Sequence, residues 1–298
     1  MNSGKRVLLT GGTGFVGQRL QGALVASGHT LSVVTRSPER RRSASAGVSF
    51  EPWLPDLARQ QAVVHLAGEP IFGKRWNAAV KAEILASRVD STRRLVEAMR
   101  SADPRPEVFV CASAVGYYGD RGDEQLTESA APGSTFLSQV CQAWEAEALR
   151  AEELGVRVVR VRIGVVLGAG GGALARMLLP FKLGAGGPIG SGRQWFPWVH
   201  LRDLAELIVR AVDDPALAGP FNAVAPEQVT NRDFARALGR ALHRPAFLPT
   251  PAFALRLALG EVTDVLLESQ RCVPEAAQEA GFSFRFPGLD AALADIVG

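Results

Sequence analysis

The 298-residue sequence predicts an α/β protein: a doubly wound parallel sheet followed by a smaller, mostly helical region. Three observations carry this expectation. Short β-rich runs alternate with helical patterns through the first half of the chain, the order that builds parallel sheets. Those runs are almost continuously apolar, as strands buried on both faces must be. The first of them ends in a cluster of glycines that opens a helix.

The elements follow in order. Residues 7–10 (Val-Leu-Leu-Thr) read as a buried strand, and residues 14–27 carry apolar side chains at helical spacing (Phe15, Leu20, Leu24). Residues 31–35 and 62–67 form a second and third strand. A long amphipathic helix spans about 77–101, with Val80, Ile84, Val89, Leu95, Val96 and Met99 on its apolar positions. Residues 108–113 give a fourth strand, 135–154 a helix and 156–163 a fifth strand. Nine glycines between 168 and 192 then flank a short apolar helix around 174–181. Residues 202–213 are helical again, 221–224 read as a strand, and from Thr230 the pattern is mostly helical with turns at Pro245, Pro249 and Pro251. The expected division is a cofactor-binding core over 1–167 and a substrate-side region over 168–298, interleaved with it.

Composition excludes several classes. Hydrophobic residues make up 47% and charged residues 21%, a mix that excludes collagen, coiled coil and wholesale disorder. Of the 33 basic residues only Lys5, Lys74, Lys81 and Lys182 are lysines, and the longest basic run is Arg40–Arg42. A charge set so dispersed argues against a nucleic-acid partner. Cys111, Cys141 and Cys272 are far apart, so neither a metal site nor a disulfide framework is expected, and a reducing cytoplasm is. No stretch of 18 uncharged apolar residues suggests a membrane span. The expected partner is a small-molecule substrate of unknown identity, and a homodimer is left open as the assembly.

The glycine cluster carries the chemistry. Gly11-x-x-Gly14-x-x-Gly17 follows a strand and opens a helix, the context of a dinucleotide fingerprint and of a Rossmann-type sheet. Gly11 permits a tight turn, Gly14 lets the backbone approach a pyrophosphate, and Gly17 lets helix and strand pack closely. The helix N-terminus supplies free N–H groups and a positive dipole end. At the end of the second strand stand Thr35 and Arg36, where an acid would bind the 2′-hydroxyl of NAD. Arginine there suits a 2′-phosphate, so NADP(H) is the expected cofactor. Gly68 to Lys74 imitates the start of a phosphate loop, but Arg75 replaces the hydroxyl residue and Pro70 lacks an amide donor.

These residues resemble the extended, epimerase-like branch of the short-chain dehydrogenase/reductases. The fingerprint, His65-Leu66-Ala67-Gly68, and Ala112-Ser113 before Tyr118-Gly119 recur there in this order. The match is closer still to the NADP(H)-binding "epimerase family protein" group, through Leu66 to Glu69, Arg75-Trp76 with Glu83 and Arg88, Gly164 to Gly168, and Gly187 to Gly192. The resemblance covers essentially the whole chain. It implies cofactor contacts around Gly11, Thr13, Gly14, Phe15, Val16 and Gly17, then at Thr35, Arg36, Leu66, Ala67, Gly68, Glu83, Arg88 and Val165. It also implies epimerase or oxidoreductase chemistry by hydride transfer on a small polar substrate, with a sugar nucleotide as one class.

The chain departs from the superfamily at the proton-transfer pair, Tyr-x-x-x-Lys. Its two tyrosines, Tyr117 and Tyr118, are followed four residues later by Arg121 and Gly122. Aligning Glu145 with the superfamily's glutamate puts Leu137 and Cys141 at the tyrosine and lysine positions. Ser113 holds the superfamily's serine position, either polarising a substrate oxygen or capping the strand end. Tyr118 is either an acid near the nicotinamide or a packing residue. Cys141 reads as a small core residue. Asp203 is expected to cap the helix at 202–213, with His200 a secondary catalytic candidate. Gln194, Trp195 and Trp198 either wall a substrate pocket or pack in the core. The alternative to an enzyme is an NADP(H)-binding sensor that has lost catalysis.

Overall fold

The computed structural model describes residues 4–38, 47–53 and 56–298; the Arg40–Arg42 run lies outside the described residues. Seven parallel strands form the main sheet: β1 (Arg6–Thr10), β2 (Thr30–Val34), β3 (Val48–Glu51), β4 (Ala62–His65), β5 (Val108–Ala114), β7 (Arg157–Ile163) and β10 (Gly219–Ala223). Their order is β10-β7-β5-β4-β1-β2-β3. The order reverses between β1 and β4, where an open α/β sheet leaves a ligand crevice at the strands' carboxyl ends.

Alternation along the buried strands builds two cores. Val7 and Leu9 of β1 face one side, with Leu20 and Leu24 of α1 (Phe15–Ala26) and Leu204 and Ile208 of α5 (Leu201–Asp213). Leu8 faces the other, with Leu95 and Met99 of α2 (Ala78–Ser101) and Trp144 of α3 (Phe136–Leu149). Each fully buried Leu or Val in these layers contributes about 1.5–3 kcal/mol. Helices on both faces of a parallel sheet are the predicted fold, and each long predicted element is present within a few residues of its expected bounds, except that α3 stops at Leu149.

The chain after residue 164 is interleaved with the sheet. β10 extends it beyond β7, and α5 packs on α1. The rest forms a third core around Phe181 of α4 (Gly172–Lys182), Trp198 of β9 (Trp198–His200), Phe234 and Leu238 of α6 (Asn231–Ala241), and Leu293 of α10 (Leu289–Val297). Two small sheets join distant segments: β8 (Val165–Leu167) pairs with β9, and β6 (Gln125–Leu126) with β11 (Arg271–Cys272). Three shorter helices complete the chain, α7 (Ala252–Leu259), α8 (Thr263–Leu267) and α9 (Glu275–Glu279). Among the described residues no helix is long and apolar enough to cross a membrane.

Candidate functional site

The turn from β1 into α1 has the shape the fingerprint requires. Gly11 has φ +69°, and a Cβ there would lie 2.7 Å from Leu66 C and 2.8 Å from Ala67 N. A Cβ on Gly17 would strike the Gly11 carbonyl oxygen and come within 2.5 Å of Gly12 Cα. Gly14 is the N-cap of α1; no side chain caps it, and no acidic residue stands in the first turn. The helix therefore presents its first N–H groups and positive dipole end to the crevice, an arrangement suited to an anion. Phe15 explains another glycine cluster. Its ring fills the space that a Cβ on Gly168, Gly171 or Gly172 would need, so the loop into α4 closes over the start of α1.

On one side of this turn lies the end of β2. Thr35 is half-buried and its amide donates to the Glu51 carbonyl at 3.0 Å; Arg36 beside it is exposed. On the other side lies the end of β4, where a buried relay fixes the backbone. Ala67 N–H donates to Thr10 Oγ1 at 3.4 Å, and Thr10 Oγ1 sits 2.6 Å from His65 Nδ1. His65 Nε2 lies 3.1 Å from Ser91 Oγ, which donates to the Ser87 carbonyl at 2.6 Å. Burial, with Arg88 nearby, holds His65 down at about 3, so it is neutral. A single tautomer satisfies the relay: Nδ1 accepts from Thr10 and Nε2–H donates to Ser91. Sequence reading gave His65 no role, although a histidine inside an apolar strand must find partners.

Arg88 projects from α2 into the same crevice. Its guanidinium stacks over Trp144, 5.3 Å from the ring centroid, and a Cβ on Gly68 would lie 3.2 Å from its Cζ. It donates to the Ile84 carbonyl at 3.0 Å, and among the described residues it has no carboxylate ion pair. Desolvation lowers its pKa below the ordinary arginine value, against a smaller opposing pull from Glu69, although its side chain is only half-buried. Glu83, one turn earlier on α2, accepts from Lys74 at 2.8 Å, and Lys74 also reaches Glu69 at 3.2 Å. Both carboxylates hold the Lys74 pKa up.

At the end of β5 the polar side chains are committed to one another. Ser113 Oγ donates to Glu145 Oε1 at 2.7 Å. Arg162 clamps the same carboxylate with Nε at 2.8 Å and its second nitrogen at 2.9 Å, and Arg160 adds a bond at 3.0 Å. Arg160 and Arg162 face one side of β7 because strand side chains repeat every two residues. Arg162 also donates to Tyr118 Oη at 2.9 Å, and Tyr118 donates to Asn222 Oδ1 at 2.7 Å. Tyr118 is fully buried, and burial raises its pKa. In this arrangement neither hydroxyl has a proton left for a ligand: Tyr118 stands in the scaffold, and Ser113 can only accept. Leu137 and Cys141 are buried on α3, and burial together with Glu145 pushes the Cys141 thiol up to about 11. The network gave a readable signal, two arginines in an apolar strand and a glutamate in an apolar helix, since buried charges must pair.

The later segments hold two departures from expectation. His200, not Asp203, caps α5: its Nδ1 accepts from Arg202 N–H at 3.1 Å. Asp203 is buried instead, accepting from Arg285 N–H at 2.7 Å and Phe286 N–H at 3.0 Å; desolvation raises its pKa while those bonds lower it. His200 lies against Phe286, with Nε2 3.3 Å from Asp295, and burial holds it down at about 4. Trp198 is core, donating to the Glu227 carbonyl at 3.1 Å, and buried Gln194 ties Ile189 to Leu266 through their carbonyls. Trp195 is half-buried, donates to Asp123 at 2.8 Å and stacks under Arg271. Val165 is half-buried in β8, anchored by its amide to the Pro197 carbonyl at 2.7 Å.

Comparison with known proteins places this geometry in a lineage. The model of the NAD dependent epimerase/dehydratase family matches residues 7–224, and a domain of unknown function, DUF1731, matches residues 250–296. The Bacillus subtilis epimerase family protein YfhF is 38% identical over 98% of this chain and 97% of its own. The human epimerase family protein SDR39U1, solved with NADPH, superposes with a TM-score of 0.88 at 38% identity, covering 98% of this chain and 99% of that one. A nucleoside-diphosphate sugar epimerase from Corynebacterium glutamicum gives a TM-score of 0.79 at 34% identity, covering 99% of this chain and 59% of that one. By sequence and by fold, the chain belongs to the NAD dependent epimerase/dehydratase family.

Proposed function

We propose that the protein binds NADP(H) along the carboxyl edge of the sheet and uses it on a small polar substrate, with sugar nucleotides the leading class. One observation carries the reading: the β1–α1 turn leaves no room for a Cβ at Gly11 or Gly17 and aims an uncapped helix end at the crevice. Residues 11–17 would hold the pyrophosphate. The human relative solved with NADPH and the sugar-nucleotide epimerase support the cofactor and the substrate class respectively.

Strand order gives the cofactor a direction. β2 lies on one side of β1, and β4 and β5 lie on the other. With the pyrophosphate at β1, the two nucleosides extend to opposite sides. Thr35 and Arg36 would take the adenosine 2′-phosphate at β2. Leu66, Ala67, Gly68 and Arg88 would line the nicotinamide half at β4 and β5, with Glu83 and Val165 at its margins. When bound, the nicotinamide accepts or gives a hydride. Ser113 can accept a hydrogen bond from a substrate hydroxyl while its own proton rests on Glu145; we assign it, and Tyr118 behind it, a positioning role. A division into a cofactor core over 1–167 and a substrate-side region over 168–298 fits this direction.

A catalytically silent NADP(H) sensor is the second reading. The commitment of Ser113 to Glu145 and of Tyr118 to Asn222, with Leu137 and Cys141 on α3, favours it. Both readings require NADPH to bind more tightly than NADH. A single charge-assisted contact to the 2′-phosphate is worth about 1.5–3 kcal/mol. Calorimetric titration should therefore show at least a tenfold preference for NADPH that Arg36→Ala erases. Equal affinities in the wild type would overturn the NADP(H) assignment, and substrate-dependent oxidation of NADPH would exclude the sensor.

A further inference from the structure

A cavity of about 1130 Å³ lies away from the crevice, and no fingerprint residue lines it. One wall is the outer face of α6, the second the loop at Pro188–Ser191, and the third the segment from His243 to Pro249. The α6 wall carries Arg232, Arg236 and Arg240, spaced i, i+4, i+8 and so about 6 Å apart along the helix. His243 and Arg244 continue the row around the turn.

Like charges at i, i+4 oppose helix formation, so the row costs the fold something unless it is used. Little among the described residues neutralises it. Asp233 is spent on the capping box with Thr230 at the start of α6. Asp290 pairs with Arg240 at 2.6 Å, at an exposed lip. Arg236 has no ion pair among the described residues. The two end guanidiniums are positioned by neutral carbonyls: Arg232 donates to Ser191 O at 2.8 Å, and Arg244 donates to Lys182 O at 3.2 Å and His243 O at 3.1 Å. Carbonyls fix a guanidinium without cancelling its charge. Facing them, Phe247 is 71% exposed, which for a phenylalanine on a cavity wall leaves a ring face without a partner.

We propose that this cavity is a second ligand site, taking a nucleotide-sized phosphorylated molecule. Arg236 and Arg240, at the middle of the row, would hold the phosphates in bidentate fashion between the fixed Arg232 and Arg244, and Phe247 would cover the ring. Arginine suits phosphate geometry, and pockets for such ligands run to about 1,000 Å³. The site is separate from the NADP(H) crevice and does not depend on that reading.

The test is calorimetric titration of the full chain with ADP and with inorganic pyrophosphate at low salt, after addition of saturating NADPH. The expected result is one saturable site for ADP, with pyrophosphate weaker because it lacks the ring. Arg236→Ala combined with Arg240→Ala should weaken ADP at least tenfold and leave NADPH titration unchanged. Both side chains are exposed, and Arg236→Ala alone should give a smaller loss in the same direction. Absence of saturable binding would overturn the proposal, as would an ADP signal indifferent to both substitutions. Binding confined to single-stranded RNA, tightening with oligomer length, would also overturn it and make the row a nucleic-acid track.

Discussion

Replacing Gly17 with valine should abolish NADPH binding and destabilise the fold by about 3 kcal/mol. A Cβ at this position meets the Gly11 carbonyl oxygen and the Gly12 Cα, both backbone atoms of the fingerprint turn. Backbone cannot rotate away as a side chain can, so α1 must move off β1. That displaces the N–H groups that face the crevice and forces strain of the size typical of overpacked sites. Urea denaturation and NADPH titration of the variant read the two consequences. Gly22→Ala, on the same helix, is the control. Among the described residues nothing lies within 4 Å of a Cβ there, so the change should stabilise the helix by about 0.5–1 kcal/mol and leave binding intact.

The second large effect is expected at Glu145. Glu145→Ala removes the acceptor of Ser113 and the counter-charge of Arg160 and Arg162 in one step. Arg162 has a side-chain exposure of 3%, so water cannot take the place of the carboxylate. Breaking a buried pair from one side costs about 3–5 kcal/mol, because the remaining charge stays buried. The loss should appear in urea denaturation at neutral pH. Glu145→Gln keeps the hydrogen-bond acceptor and should cost less. Equal stability of wild type and Glu145→Ala would mean that the network is hydrated and that the assignment of Ser113 to it is wrong.

Local signals made much of this molecule legible. The β1–α1 turn needs only three glycines at fixed spacing after an apolar run, and it is where the sequence puts it. The long strands and α2 follow from runs of apolar residues whose period needs no distant partner. The short strands do not: β8 and β9 have three residues each, too few to show a period, and β8 becomes a strand because Val165 finds the Pro197 carbonyl. The bonds made by Ser113 and Tyr118 were illegible for a related reason. Ser113 is 32 residues from Glu145, and Tyr118 is 104 residues from Asn222. No local pattern announces such partners, so the sequence leaves Ser113 and Tyr118 open between a catalytic and a structural role, and the partners that commit both appear only in the fold. Asp203 shows the same effect. An aspartate near a helix start is usually a cap, but here it faces the 285–286 backbone, 82 and 83 residues on, and a histidine supplies the cap.

A dinucleotide lying across the sheet edge as proposed has its phosphorylated adenosine at β2 and its nicotinamide half at β4 and β5. Titrating Arg88→Met with NADPH and with adenosine 2′,5′-bisphosphate tests this most directly. Methionine keeps an apolar stem over Trp144, and the bisphosphate carries the adenosine side without the nicotinamide side. NADPH affinity is expected to fall about tenfold or more below wild type, the value of one lost charge-assisted contact, with bisphosphate affinity unchanged. Equal weakening of both ligands would place Arg88 on the adenosine side and contradict the proposed direction. An unchanged NADPH affinity would remove Arg88 from the site altogether.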